Sequence, residues 1–220
     1  MDMFTRASSL TRGGQEFLVE EVRPGAASLI YGAPSLLERA LYRLAAVWVA
    51  GGERMLVVSF VDYHESQLLD TYSLAEYMLA EGVAPVEGLR CVYLATIYNK
   101  RQAVSLEYGK LLKYTGASLV ALYRVSRLFR HAEYPLLLSA LSRAKEVLGR
   151  GLPLVLFVDE SPTRRGWPDA PAYLLHFASS VVWLRGLRGS FIEATLVKSP
   201  ARPEQSRTFT REVRGVEGWF

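Results

Sequence analysis

The sequence has a single cysteine, Cys91, and three histidines, His64, His131 and His176. One thiol cannot build a disulfide framework or a Cys-x-x-Cys metal pair, and the histidines have no ligand spacing among them. Cys91 stands inside the apolar run LRCVYLATI, so a buried, unreactive thiol is expected and a metal site is not. Long hydrophobic runs are missing too: no stretch approaches the roughly 18 uninterrupted apolar residues of a membrane span. The opening MDMFTRASSLTRGG is charged and has no apolar centre, unlike a secretory signal, so a cytoplasmic protein without a membrane partner is expected. Charge of one sign is hardly in excess. Lys+Arg 26 against Asp+Glu 22 leaves a formal +4, with a pI near 9.2, which tolerates an acidic partner without demanding one. No Ser/His/Asp constellation stands in a recognisable order, which argues against triad hydrolysis. Internal repeats, low-complexity tracts and dividing linkers are absent as well.

What is present is enough for a full core. At 220 residues, 50% of them hydrophobic, the chain suits one α/β domain over 1–220, with residues 1–25 as a lead-in. QEFLVEEVRPGAA reads as a short strand and a turn at Pro24 and Gly25. LIYG, RMLVVSFVD, LRCVYLATI, ASLVALYRV and LPLVLFVDES read as strands, and the near-continuous apolar character of RMLVVSFVD fits a strand covered on both faces. Helices alternate with them: one entered after a short turn beyond Gly32 and stopped by Gly51 and Gly52, one over SQLLDTYSLAEYMLAEG that Gly82 ends, one over RQAVSLEYGKLLKYTG broken at Gly109, and one over PLLLSALSRAKEVLGRG opened by Pro135. Beyond Ser161 the pattern changes. SSVVWLRG, SFIEATLVKSP and SRTFTREV, with turns at Gly186 to Gly189 and Pro200 to Pro203, predict an antiparallel meander. The whole is an α/β fold with a central, mostly parallel sheet flanked by helices.

The stretch LIYGAPSLLERALYRLAA has the outline of a phosphate-binding loop without its chemistry. A strand meets Gly32, passes a small-residue turn and enters an amphipathic helix whose apolar Leu37, Leu41, Leu44 and Ala45 recur at helical spacing. In a working GxxxxGK[ST] loop the second glycine, lysine and hydroxyl hold phosphates and magnesium. Counted from Gly32, those positions carry Leu37, Glu38 and Arg39. A carboxylate there repels polyphosphate and a guanidinium cannot bind a cation.

Four segments in order resemble the RecA/RadA recombinase ATPases, in the short archaeal paralog form without a helical N-terminal DNA-binding domain. GVAPVEGLRCVYLATIYNKRQ is similar to the segment that ends in the family's Ala-x-x-Tyr-Asn sequence, here Ala95, Tyr98 and Asn99. ASLVALYRVSRLFR is similar to the Walker B strand and its Ser-x-x-x-x-Phe-Arg tail, and LVKSPARPEQSRTFTREVRGV to the C-terminal meander. With the loop at Gly32 the resemblance covers roughly residues 13 to 215. It implies a RecA-like ATPase core, yet the Walker B aspartate position holds Tyr123. The catalytic glutamate position falls at VDYHES, where His64 or Glu65 could stand in only after a register shift and Asp62, the safer match, is not the base. Phosphoryl transfer is mostly positioning and charge stabilisation by the lysine and the metal, so the resemblance implies a pseudo-ATPase with no cofactor.

Other candidates follow from position. Asp159 and Glu160 end a strand where ligands gather in open α/β sheets and where the family senses γ-phosphate; alternatively they cap the strand and meet an arginine. Arg124, Arg127 and Arg130 recur every third residue, as a phosphate contact or a solvated basic edge. SPTRRGWPDAP falls where the recombinases keep a DNA-contacting loop: Arg164 and Arg165 can neutralise phosphate and Trp167 can stack an unpaired base, unless this is a plain surface loop. Met3, Phe4 and Leu10 near one end, and Trp219 and Phe220 at the other, are candidate interface anchors or fold back on their own domain. The expected function is an accessory subunit of homologous recombination and DNA repair that binds a RadA-type recombinase or another paralog, single-stranded DNA, or both. The alternative is a nucleotide-binding or weakly hydrolysing ATPase in which Arg39 replaces the lysine.

Overall fold

The apolar runs become strands, and a computed structural model describing residues 16–61, 69–129, 133–188 and 191–210 sets them side by side. They are β1 (Ala27–Gly32), β2 (Met55–Phe60), β3 (Val92–Ile97), β4 (Leu119–Tyr123), β5 (Leu154–Asp159), β6 (Ser180–Gly186), β7 (Phe191–Lys198) and β8 (Gln205–Thr210). The sheet order is β3-β2-β4-β5-β1-β6-β7-β8. Pairing is parallel from β3 through β6 and antiparallel for β6 with β7 and β7 with β8. The α/β class, the parallel centre and the antiparallel close are as the sequence predicts. Residues of β1, β2 and β5 are buried on both faces, apart from the half-buried Asp159, which is why these strands read as continuous apolar runs.

Alternate residues of each strand feed two cores. Leu29, Tyr31, Leu122, Leu156 and Val158 face helices α5 (Lys100–Ser105), α6 (Tyr108–Thr115), α7 (Tyr134–Gly149) and α8 (Ala172–Phe177). Ile30, Val57, Ala121, Val155 and Phe157 face α2 (Pro34–Ala50) and α3 (Thr71–Ala80). α2 buries Leu37, Leu41, Leu44 and Ala45, the stripe read from its sequence. α3 starts later than SQLLD suggests, because Asp70 caps it by accepting the Tyr72 N–H at 3.0 Å. A short helix α4 (Pro85–Leu89) leads into β3.

Three expectations are corrected. The lead-in is not a strand: Glu16–Val19 forms a helical turn, α1, and both long sides of β1 are already occupied by β5 and β6. Cys91 is half-buried, because β3 forms one margin of the sheet. The break in RQAVSLEYGKLLKYTG comes at Leu106 and Glu107. Gly109 lies inside α6, where it lets α7 come close: its N–H donates to Glu146 Oε2 at 3.1 Å, and a Cβ would stand 2.2 Å from Glu146 Oε1. Among the described residues no helix is long and apolar enough to cross a membrane.

Candidate functional site

The carboxyl ends of β1, β4 and β5 bring most of the predicted residues to one side of the sheet. β1 ends at Gly32 and α2 begins at Pro34, so Ala33 alone separates strand from helix. A one-residue connection cannot curl backbone N–H groups around a phosphate, because the residues that would form the cradle are already in helical geometry. Gly32 has a packing reason instead. It stands in register with Leu184 of β6, and a Cβ here would lie 2.5 Å from the Leu184 carbonyl oxygen. Leu37 is fully buried core. Glu38 accepts a hydrogen bond from Tyr42 Oη at 2.8 Å, and that oxygen accepts the Asp70 N–H at 2.7 Å. Glu38 therefore joins α2 to the cap of α3. Arg39 is exposed on α2, within electrostatic reach of Tyr77.

Tyr123 ends β4 on the α2 face and meets Phe157 edge-on, ring centroids 6.2 Å apart. Burial, reinforced by the Glu38 carboxylate, pushes its hydroxyl well above the ordinary tyrosine range. Tyr42 is raised likewise by burial and by its bond to Glu38. Both hydroxyls stay protonated at neutral pH.

The next residue, Arg124, has a positive φ of 59°, and no other non-glycine among the described residues does. That backbone turn lets the N–H groups of Arg124 and Val125 both donate to the Phe157 carbonyl, at 2.8 and 3.3 Å. It also aims the guanidinium at Asp159: Nε lies 3.1 and 3.2 Å from the two carboxylate oxygens and Nη2 2.9 Å from Oδ2. Arg127 approaches the same Oδ2 at 4.0 Å. Burial raises the Asp159 carboxyl above its ordinary range, Arg124 opposes the shift, and Asp169 adds to it. Of the two readings of Asp159, the strand tip closed by an arginine is the one the geometry favours. The turn at residues 124–128 is not a helix, and it directs Arg124 and Arg127 inward.

Glu160 does separate work. Its Oε1 accepts the Gly166 N–H at 2.6 Å, and the Gly166 carbonyl accepts from Tyr31 Oη at 2.9 Å. The Ser161 N–H donates to the Trp167 carbonyl at 2.8 Å and the Asp169 N–H to the Asp159 carbonyl at 2.7 Å. SPTRRGWP is thus a pinned turn, with Gly166 at φ +77° where a side chain would be strained. Arg164 and Arg165 are exposed, Trp167 is 41% exposed, and the Arg164 guanidinium lies 3.6 Å from the Trp167 ring centroid.

Beneath the turn lies a pair that the sequence reading missed. Tyr31 stacks on Trp183, centroids 6.4 Å apart and planes within 10°, and Arg185 covers the indole at 5.2 Å. Burial and the Glu160 charge push the Tyr31 hydroxyl up to about 12. The available signal was that Trp183 and Arg185 are two apart in a strand and so share a face. What could not be read was the register that sets Trp183 against Tyr31.

Neither a family model nor a curated protein matches this sequence. The residues themselves carry the functional argument. Among those described, no group of three or more His, Cys, Asp or Glu could hold a metal, and His176 is exposed near the end of α8. Arg130, Asp62, His64, Glu65 and His131 lie outside the described residues, as do the apolar residues proposed as anchors at 3, 4, 10, 219 and 220.

Proposed function

We propose that this chain is a non-hydrolysing relative of the RecA/RadA recombinases, an accessory subunit of recombinational repair that docks on a RadA-type ATPase or another paralog and contacts single-stranded DNA. The mostly parallel sheet with its antiparallel close fits the core that the sequence resemblance implies. The observation that carries the loss of chemistry is the single residue between Gly32 and Pro34, with Glu38 engaged to Tyr42 where a lysine would reach phosphate. The alternative, nucleotide binding through Arg39, finds no support in the way α2 begins.

Three outcomes test the reading. ATP with magnesium is expected to leave the melting temperature unchanged, because a ligand stabilises only a state it binds. The double variant E38K/R39T is expected to stay without turnover, since only Ala33 stands where the phosphate-binding loop would precede them and Tyr123 replaces the metal-binding carboxylate. A measured turnover that disappears on mutating the 32–39 segment would reverse this assignment. For the partner, the chain is expected to co-elute with a RadA-type recombinase in size-exclusion chromatography. Separate elution at micromolar concentrations, with ATP and DNA supplied to the recombinase, would end the accessory-subunit reading.

A further inference from the structure

We propose that Arg164 and Trp167 form an exchange site for one nucleotide of a single strand: an unpaired base takes the indole face that the guanidinium now covers, and the released Arg164 moves to the flanking phosphate. This deepens the DNA contact proposed above and rests on that reading. Three observations carry it. The indole is held out by a pinned turn, with Ser161, Glu160, Tyr31 and Asp159 fixing its backbone, so Trp167 stays 41% exposed and does not collapse onto the sheet. Gly166 packs over the Trp183 ring edge, a Cβ there lying 3.6 Å away, so the turn rests on an aromatic base. The Arg164 guanidinium sits on the indole at 3.6 Å with no carboxylate bonded to it among the described residues, so leaving the ring breaks no ion pair.

An exposed cation–π contact is weaker than stacking of a base on an aromatic ring, so a base can displace the guanidinium. The displaced cation then gains a phosphate, an interaction that salt screens. Arg164 therefore has two opposed effects: it competes for the indole at every salt concentration, and it adds a phosphate contact mainly at low salt. Arg165, its exposed neighbour, has only the second effect. Duplex DNA keeps its bases stacked and offers no free face to the indole, so the site selects single strands.

The test is fluorescence anisotropy of a labelled oligothymidylate with the full chain across a KCl series, for wild type, R164A, R165A and W167A. Circular dichroism melts confirm that each variant folds. R164A is expected to bind more weakly than wild type at low salt, to lose about one unit of the log–log salt slope, and to match or exceed wild type at high salt. R165A is expected to lose a similar slope without that crossing. W167A is expected to bind about 5- to 100-fold more weakly at all salt concentrations. If R164A runs parallel to R165A with no crossing, Arg164 is only a phosphate contact and the exchange is wrong, although DNA binding stands. If wild type binds no oligothymidylate even at low salt, the DNA reading fails and takes the exchange with it.

Discussion

Gly32→Val is expected to destabilise the fold by roughly 2–4 kcal/mol, placing it in the upper part of the range for single substitutions. The added atoms meet backbone: the Leu184 carbonyl oxygen would stand 2.5 Å from the new Cβ and the Leu184 Cβ 3.1 Å away. A flexible side chain could rotate aside, whereas a carbonyl fixed in the β1–β6 ladder moves only if the strands part. β1 lies inside the sheet between β5 and β6, so the disturbance cannot be relieved at a margin. Guanidinium unfolding should show a lower midpoint at unchanged slope. Gly149→Ala is the control, because nothing lies within 4 Å of its Cβ position and it ends a helix; stability should hold or rise slightly. A Gly32→Val midpoint equal to wild type would mean that the glycine is not there for the sheet, and would reopen its reading as a ligand-binding residue.

That glycine illustrates what can be read from one sequence. The strands were legible because burial on both faces writes an apolar run, and α2 was legible because Leu37, Leu41 and Leu44 repeat at helical spacing. The same letters that outlined a phosphate loop could not reveal that α2 starts at Pro34, since a proline after a small residue fits a loop as well as a first helical turn. The helical turn at Glu16–Val19 was missed for a tertiary reason: whether a short apolar segment becomes a strand depends on a free neighbour in the sheet. At the site, the pairing of Asp159 with an arginine stood open as one of two readings. Arg124 could be singled out as basic, but its left-handed backbone is a property of the Phe157 carbonyl it wraps. Trp183 escaped notice because its partner Tyr31 is adjacent only once β6 has paired with β1.

Arg124→Ala is expected to cost about 2 kcal/mol at neutral pH, less than breaking a fully buried pair, since water still reaches both groups. The side chains of Arg124 and Asp159 are 16% and 20% exposed, and the guanidinium bonds both carboxylate oxygens. Removing it leaves a largely dry carboxylate beside Asp169, with Arg127 no nearer than 4.0 Å. Burial already raises the Asp159 pKa above its unfolded value, so ionising this group opposes folding. Its contribution to stability is complete below the unfolded pKa and is lost as pH rises through the folded one. Without Arg124 the folded pKa rises further and the loss at neutral pH grows. The deficit of Arg124→Ala against wild type should therefore be largest near neutrality and shrink as pH falls through the carboxylate range. Asp159→Asn, which has nothing to titrate there, should take this component out of the pH profile while its amide oxygen still accepts from the guanidinium. Unfolding free energies of the three proteins across that range decide the matter. A deficit independent of pH would mean that Arg124 holds the turn through its backbone alone, and that its charge does not govern the state of Asp159.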